Sequence, residues 1–340
     1  MVVALSLVLT LASRSQVSEL LDAAVAQPGS VLAKQISTRG QFLADGYEFA
    51  DDFRSDTLAR RRSSSSSLDM LISRGADAIP YLISQLGSQE PSNLKIGETP
   101  DVVSVGYEFY DPVVRQPDTE AWSVVTNDFI MKAPQYKHVV TRGDVAFFAL
   151  GQITNRWYGI LGGNPALTLF CSASDHPGIQ KSAKDDWEKL GSEDLKALLR
   201  KDVLRPDSYA RQVFGFARYR TYFPGDAAEL AIDCLRTSYG KWAKGEPSAS
   251  PRSLILELQP IACPALDEEC QRILMRTDKE NGYLTEFDLT KYEVLLYLRS
   301  RPGYMPICVN YAQEMVRKKT DRYGYFKRFL ENYTKKKVNG

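Results

Sequence analysis

The residues best suited to catalysis are two carboxylates in an aromatic-rich stretch. Glu108 and Asp111 lie among Tyr107, Phe109 and Tyr110. Aromatic surroundings can raise the pKa of a carboxyl group and make it a general acid, and aromatic faces also bind sugar rings. The stretch is therefore compatible with a carbohydrate-active enzyme or another hydrolase. We favour the alternative, in which the aromatic residues anchor a loop on a helical layer while Glu108 stays solvated.

Other residues that could do chemistry are few. The two histidines are His138 and His176, and Cys171 lies five positions before the second of them. A Cys-His dyad needs a third group to orient the histidine, and none is evident, so a surface histidine is the default. The sequence contains no phosphate-binding glycine loop, HExxH, GxSxG, CxxC or EF-hand pattern. We therefore predict no metal site and no cofactor, and the balance is against an enzyme.

A short polar segment after a predicted helix is a candidate contact for a ligand or partner. Asn155, Arg156 and Trp157 follow a helical pattern that starts near Gly143. Arg156 there complements the helix dipole and Asn155 can bond the turn, but the same side chains could reach a ligand. The candidate binding set comprises Tyr107, Tyr110, Asn155, Arg156 and Trp157. The tripeptide Arg142-Gly143-Asp144 matches an adhesion motif, although the pattern makes it a helix start.

The last forty residues carry the clearest charge feature, ten Lys and Arg against three Asp and Glu. The candidate basic surface comprises Arg317, Lys318, Lys319, Arg322, Lys327 and Arg328. Aromatic residues are interleaved with these cations. Such a surface can bind nucleic acid or an anionic envelope surface by counterion release. The alternative, which we favour, is a solvated helix face at the chain end.

Composition limits the class of protein. The 340 residues are 44% hydrophobic, with 43 Lys and Arg against 42 Asp and Glu. These values exclude a disordered, collagen-like or polytopic membrane protein. The balanced charge gives no global signal for nucleic acid.

The N-terminal residues indicate export. Residues 1–12 carry no charge and have the length of a signal-peptide apolar core, but no Lys or Arg precedes them. We predict a signal peptide and a secreted or periplasmic protein without a membrane span, the alternative being a buried N-terminal helix. Five cysteines are too few and odd in number for a disulfide framework. Whether Cys263 and Cys270 are bridged stays open, because Pro264 can leave Cys263 outside the next helix.

The elements that must position these residues are mainly short amphipathic helices. The stripe Ile79, Leu82, Ile83, Leu86 follows Gly75 and predicts a helix pair joined by a glycine turn. Residues 90–140 are proline-rich, acidic and β-prone, and predict a long excursion with a hairpin. Residues 245–251 read as a linker, and five helices are predicted beyond it, near 251–262, 265–276, 287–299, 306–319 and 321–335.

Several segments together resemble exported bacterial HEAT-repeat-like proteins. The turn Gly75-Ala76-Asp77-Ala78-Ile79-Pro80-Tyr81-Leu82 looks like part of a degenerate HEAT repeat. The resemblance extends over roughly residues 60–240 and includes residues 143–156, Gly106 to Pro112, Asp186-Trp187 and Tyr222-Phe223-Pro224. The resemblance implies an α-solenoid-like fold and export, and it implies no activity or substrate.

We therefore predict an all-α, irregular HEAT-like array of helical pairs. Its regions are a signal peptide at 1–12, a helical region at 15–244 with the loop-rich insertion at 90–140, and a C-terminal helical region at 251–340 with a basic end. The leading hypothesis is a non-enzymatic interaction or scaffold protein that binds a protein or cell-envelope partner. Nucleic acid is not the expected partner. The alternatives are a hydrolase that uses carboxylates of the 90–140 excursion, and anionic-polymer binding through the basic C-terminal helices.

Overall fold

The computed structural model is mostly helical, as the all-α prediction requires. It describes residues 15–28, 42, 44, 47–49, 59–61, 66–95, 139–156, 158, 160–162, 167–169, 172–175, 177–205, 209–242, 252–276, 284–321 and 324–339.

The helices in chain order are α1 (15–25), α2 (Ser67–Ser73), α3 (Ile79–Gln85), α4 (Arg142–Thr154), α5 (Pro177–Trp187), α6 (Ser192–Val203), α7 (Tyr209–Tyr222), α8 (Ala227–Trp242), α9 (Arg252–Glu257), α10 (Pro264–Met275), α11 (Leu284–Arg299), α12 (Met305–Arg317) and α13 (Tyr325–Asn339). The strands are β1 (Tyr47–Phe49), β2 (Ala59–Arg61), β3 (Pro91–Lys95), β4 (Val139–Thr141), β5 (Ile160–Gly162) and β6 (Leu167–Leu169). They form three antiparallel pairs, β1–β2, β3–β4 and β5–β6.

The predicted helix pair at Gly75 is confirmed. Ser66 caps α2, because its hydroxyl accepts from the backbone N–H of Asp69 while the Asp69 carboxylate accepts from the backbone N–H of Ser66. A short 3-10 turn, Gly75–Ala78, connects α2 to α3, and Pro80 lies in the first turn of α3, where a backbone donor is dispensable. The leucines and isoleucines of both helices are buried, whereas Met70 of α2 is exposed.

Helix α4, where the sequence predicted a helical pattern from near Gly143, is buried on nearly all sides. Every residue from Arg142 to Gly151 is buried. Thr141 and Asp144 form a capping box at the start of the helix: each side chain accepts a hydrogen bond from the backbone N–H of the other residue. A Cβ on Gly143 would lie 2.4 Å from the carbonyl oxygen of Leu86. The absence of a side chain there lets the start of α4 pack directly on the end of α3.

The predicted excursion is closed at its base by a strand pair. β3 and β4 run antiparallel, with Pro91 opposite Thr141 and Lys95 opposite Val139, and the register is irregular between them. Residues 96–138, which contain the predicted strands, lie outside the described residues.

The chain divides into two compact units, and the predicted linker at 245–251 falls inside the second. Unit 1 contains residues 1–46 and 62–199, and unit 2 contains residues 47–61 and 200–340. Within unit 1, α4 packs on α2 and α3, and α5 packs on α3.

Unit 2 is a succession of stacked helices. Helix α7 packs on α8 and α9, α8 on α10, α9 on α11, α10 on α11, α11 on α12, and α12 on α13. The apolar residues of α8 that repeat at helical spacing from Ala227 to Leu235 are buried. Residues 290–298 of α11 are buried on every side, so this helix lies at the centre of the unit.

Candidate functional site

Asn155 and Arg156 are engaged at the C-terminal end of α4. Asn155 adopts the left-handed conformation (φ 58°) that ends the helix. Nη1 of Arg156 donates to the carbonyl oxygens of Thr154, at 3.1 Å, and Asn155, at 3.0 Å. The guanidinium also lies 5.6 Å from the ring centre of Trp187. Both side chains are buried, so their predicted role in ligand binding stays a prediction.

A close backbone contact holds this segment in place. A Cβ on Gly151 would lie 2.6 Å from the carbonyl oxygen of Arg156. Tyr158 stacks on Phe147 with ring centres 4.4 Å apart, and its hydroxyl accepts from Nε1 of Trp187 at 3.1 Å. The chain therefore turns back across α4 directly after the helix ends.

Arg142 is the central side chain of a polar network in unit 1, which we call the Arg142 network (Arg142, Asp22, Glu90, Gln85 and Tyr81). Its Nη1 lies 2.5 Å from Oδ1 of Asp22 and 3.3 Å from Oε2 of Glu90. Nε donates to Oε1 of Gln85 at 2.9 Å, and Nη2 donates to the hydroxyl of Tyr81 at 3.0 Å. Burial lowers the pKa of Arg142, but hydrogen bonds to Asp22 and Tyr81 outweigh it, so that the pKa is raised overall.

The carboxylate of Asp144 is committed to the helix start. Oδ2 accepts a hydrogen bond from the backbone N–H of Thr141, and Oδ1 accepts one from the hydroxyl of Ser172 at 2.7 Å. The hydroxyl of Ser172 lies 2.9 Å from the hydroxyl of Ser174. Since Asp144 and Arg142 are both buried, the Arg142-Gly143-Asp144 tripeptide is not presented as an adhesion loop.

The described cysteines are free thiols, and three of them are buried. Cys263 and Cys270 are not bridged, although Pro264 starts α10 and leaves Cys263 at the N-cap. Burial raises the pKa of Cys234 to about 11 and that of Cys308 to about 12, and it raises the pKa of Cys270 as well. A raised thiol pKa opposes formation of the thiolate that a nucleophile requires.

The basic C-terminal residues lie on the hairpin of α12 and α13. The exposed cations of this basic hairpin surface are Arg317, Lys318, Lys319, Lys327 and Arg328. Glu314 pairs with Lys318 at 2.5 Å, and this hydrogen bond lowers the pKa of Glu314. Among the aromatic residues interleaved with the cations, Phe326 and Phe329 are buried, and Phe326 lies edge-on to Tyr311.

A second cationic surface was missed by sequence reasoning. We call it the arginine patch (Arg236, Arg272, Arg276 and Met275, on α8 and α10). Nε of Arg236 donates to Oε2 of Glu269 at 3.0 Å, and Arg272 contacts the same oxygen. The side chain of Glu269 is 5% exposed, whereas those of Arg236 and Arg272 are 58% and 62% exposed. The hydrogen bond to Glu269 raises the pKa of Arg272.

The hydrolase alternative falls outside the described residues. The predicted site residues without a described position are Tyr107, Glu108, Tyr110, Asp111, Trp157 and Arg322. Among the residues with described positions, no group of three or more His, Cys, Asp or Glu could hold a metal ion. In the same set of residues, every helix is too short or too polar to cross a bilayer.

Comparison of the chain with protein-family models, with curated proteins and with solved structures gives no match.

Proposed function

We propose that the chain is a non-enzymatic interaction protein, a HEAT-like array that holds a protein or cell-envelope partner on its helical surface. The observation that carries the proposal is that several helices pack on the next helix but one in the chain. In unit 2, α7 packs on α9, α8 on α10 and α9 on α11, and in unit 1 α2 packs on α4 and α3 on α5.

This stacking order is typical of helical repeat arrays. Each pair of helices buries its apolar face on the next pair, so that a layer of helices exposes a continuous outer face. Helix α10 has such a face, because Glu268, Arg272 and Met275 follow one another along it and are all exposed. Extended faces of this kind bind partners over several helices.

Structural roles of three polar or reactive side chains support the same function. Asp144 is used in a helix cap, Arg142 in a network between elements, and Cys234 is a buried thiol. Export through residues 1–12 remains part of the proposal. N-terminal sequencing of the mature protein tests it, and a mature chain that begins at Met1 contradicts it.

Photo-crosslinking tests the array function. The full chain carries a photoreactive amino acid in place of Glu268, on the exposed face of α10, and a matched control carries it in place of Asp77, exposed in unit 1. With the envelope or secreted fraction of the source cells, we expect one discrete product at position 268 that unlabelled protein competes away and that re-forms with the purified partner. If neither position gives a saturable product, the proposal is contradicted.

The hydrolase alternative is tested on the same preparation. Glu108→Ala with Asp111→Ala removes the two candidate carboxylates, and a panel of glycosides and polysaccharides reports turnover. Turnover that is present in the natural chain and abolished in this variant would replace the interaction function by an enzymatic one.

Anionic-polymer binding is the second candidate, because the basic hairpin surface exposes five cations within one turn and its two flanking helix ends. Binding by counterion release predicts an affinity that falls steeply with salt concentration. Heparin and duplex DNA are the probes. We expect Lys319→Glu with Lys327→Glu to reduce the slope of log affinity against log salt, and salt-independent or absent binding removes this candidate.

A further inference from the structure

We propose that the arginine patch on α8 and α10 binds an acidic segment of a protein partner that also carries an apolar side chain. This inference rests on the proposed interaction function and names the place and chemistry of the contact.

The patch is built around one buried anion. Glu269 accepts hydrogen bonds from Arg236, on α8, and from Arg272, one turn further along α10. A single oxygen of Glu269 receives both contacts, so one carboxylate orients two guanidinium groups. Within the described part of the chain, neither guanidinium has a second acceptor. The side chains are thereby ordered before a ligand arrives, which lowers the entropy cost of binding.

The third cation continues the same surface. Arg276 lies one helical turn beyond Arg272 and is exposed, and its guanidinium lies 5.3 Å from the ring centre of Tyr239. Stacking on a buried aromatic ring fixes the position of this side chain as well. Arg236 and Arg272 share the carboxylate of Glu269, and Arg276 brings a third guanidinium group to the same surface.

An apolar contact lies within the cations. Met275 is 54% exposed, the most exposed of the large hydrophobic side chains of the described residues. Methionine adapts its shape to different apolar partners, and arginine is enriched at the centres of protein interfaces. The combination fits a segment in which Asp or Glu residues flank an apolar side chain.

The chemistry distinguishes this patch from the basic hairpin surface. Guanidinium groups bind carboxylates through two parallel hydrogen bonds, whereas lysine acts as a point charge. Three of the five exposed cations of the hairpin are lysines, and its two phenylalanines, Phe326 and Phe329, are buried. The hairpin suits a charged polymer, and the arginine patch suits a defined acidic sequence. Glu268, exposed one turn before Arg272, limits the patch on that side.

Fluorescence anisotropy with labelled twelve-residue peptides tests the inference on the full chain. The acidic peptides alternate Glu with Leu or Phe, and the matched peptides carry Gln at every Glu. The patch variant is Met275→Glu with Arg276→Glu, and it leaves Glu269 paired. The control variant is Gln313→Glu with Arg317→Glu, which makes the same charge change on exposed positions of α12.

We expect the natural chain to bind the acidic peptides at least tenfold more tightly than the Gln peptides. The patch variant should lose at least tenfold in affinity, and the control variant less than twofold. Arg272→Lys should lose several-fold, since it keeps the charge but not the two-point geometry. Circular dichroism verifies that each variant is folded.

Two results overturn the inference. One is equal or absent binding of the acidic and Gln peptides by the natural chain, and the other is an equal loss in the patch and control variants, which would indicate general charge attraction. Crosslinking from position 268 to a partner under either result would leave the array function standing with a different contact chemistry.

Discussion

The two units each contain a charged network, and the two networks are inverted. In unit 1 the cation is buried, since the side chain of Arg142 is 8% exposed while those of Asp22 and Glu90 are 56% and 58% exposed. In unit 2 the anion is buried, because Glu269 lies beneath Arg236 and Arg272. The difference teaches which side chains remain available. The buried member uses its hydrogen-bonding capacity within the fold, and the exposed members retain theirs.

The inversion also gives the two units different outer faces. Around Arg142 the available groups are carboxylates, and around Glu269 they are guanidinium groups. A buried charge is costly when it loses its partners, whereas an exposed charge is rehydrated when it loses its own. In both networks, replacing the exposed residues together should therefore reduce the stability of the fold more than replacing the buried residue, because it leaves the buried charge without partners.

The largest expected effect comes from displacing the backbone that carries Arg142. Gly143→Ala places a Cβ against the carbonyl oxygens of Leu86 and Ser88. We expect a loss of about 3 kcal/mol in the free energy of unfolding, measured by urea denaturation. The control is Gly240→Ala, in helix α8, where a Cβ meets nothing within 4 Å. Alanine there should be neutral or gain up to about 1 kcal/mol, and equal losses at both sites would contradict the close-packed start of α4.

The next effect separates the two members of the unit 2 network. Arg236→Ala with Arg272→Ala leaves Glu269 without its cations and should cost about 2 kcal/mol. Glu269→Gln leaves two exposed arginines that water solvates, and should cost less than about 1 kcal/mol. Urea denaturation measures both. If the Glu269→Gln variant is the less stable of the two, the claim that Glu269 is the buried charge that depends on its arginine partners is wrong.

A smaller effect is expected in unit 1. Asp22→Asn with Glu90→Gln removes both charges opposite Arg142 but leaves the Gln85 and Tyr81 acceptors, so the loss should be about 1 kcal/mol. Glu188→Gln is the control, because Glu188 forms an exposed pair with Lys184 on α5 at 3.6 Å. That control should change stability by less than about 0.5 kcal/mol.

The smallest effect is a dependence on alkaline pH. The pKa values of Cys234 and Cys308 are raised in the folded chain to about 11 and about 12. Groups with a raised folded-state pKa contribute stability that is present below the unfolded pKa and is lost as pH rises through the folded pKa. Unfolding by urea should therefore become easier above about pH 9. Cys234→Ala should reduce this slope, and an unchanged slope would contradict the contribution of that thiol.

Local patterns predicted the helices well because their signals are close in sequence. Ser66 and Asp69 form a cap over three residues, and Gly75 with Pro80 marks the turn before α3. The buried stripe of α8 was equally visible. Helix α4 was less so, since a helix buried on all sides has no periodic contrast between apolar and polar positions.

The arginine patch was not predictable in the same way. Arg272 follows Glu269 by three residues and could be paired with it on a helix, but Arg236 lies 33 residues earlier. Its contact with Glu269 depends on the stacking of α8 on α10, which is a tertiary arrangement. The basic end was visible because all its charges are consecutive or nearly so in the sequence. Phe326 and Phe329 lie at helical spacing in the same segment, and both are buried.

The strand pair β3–β4 has a consequence for how the protein can change over time. Because Pro91 lies opposite Thr141 and Lys95 opposite Val139, the end of β3 and the start of β4 lie side by side. The entropy cost of closing a loop grows only slowly with its length. A change in the length of chain between the two strands should therefore leave the packing of α3 on α4 unchanged. The strand pair thus allows the sequence between β3 and β4 to diversify during evolution while the two helices keep their contacts.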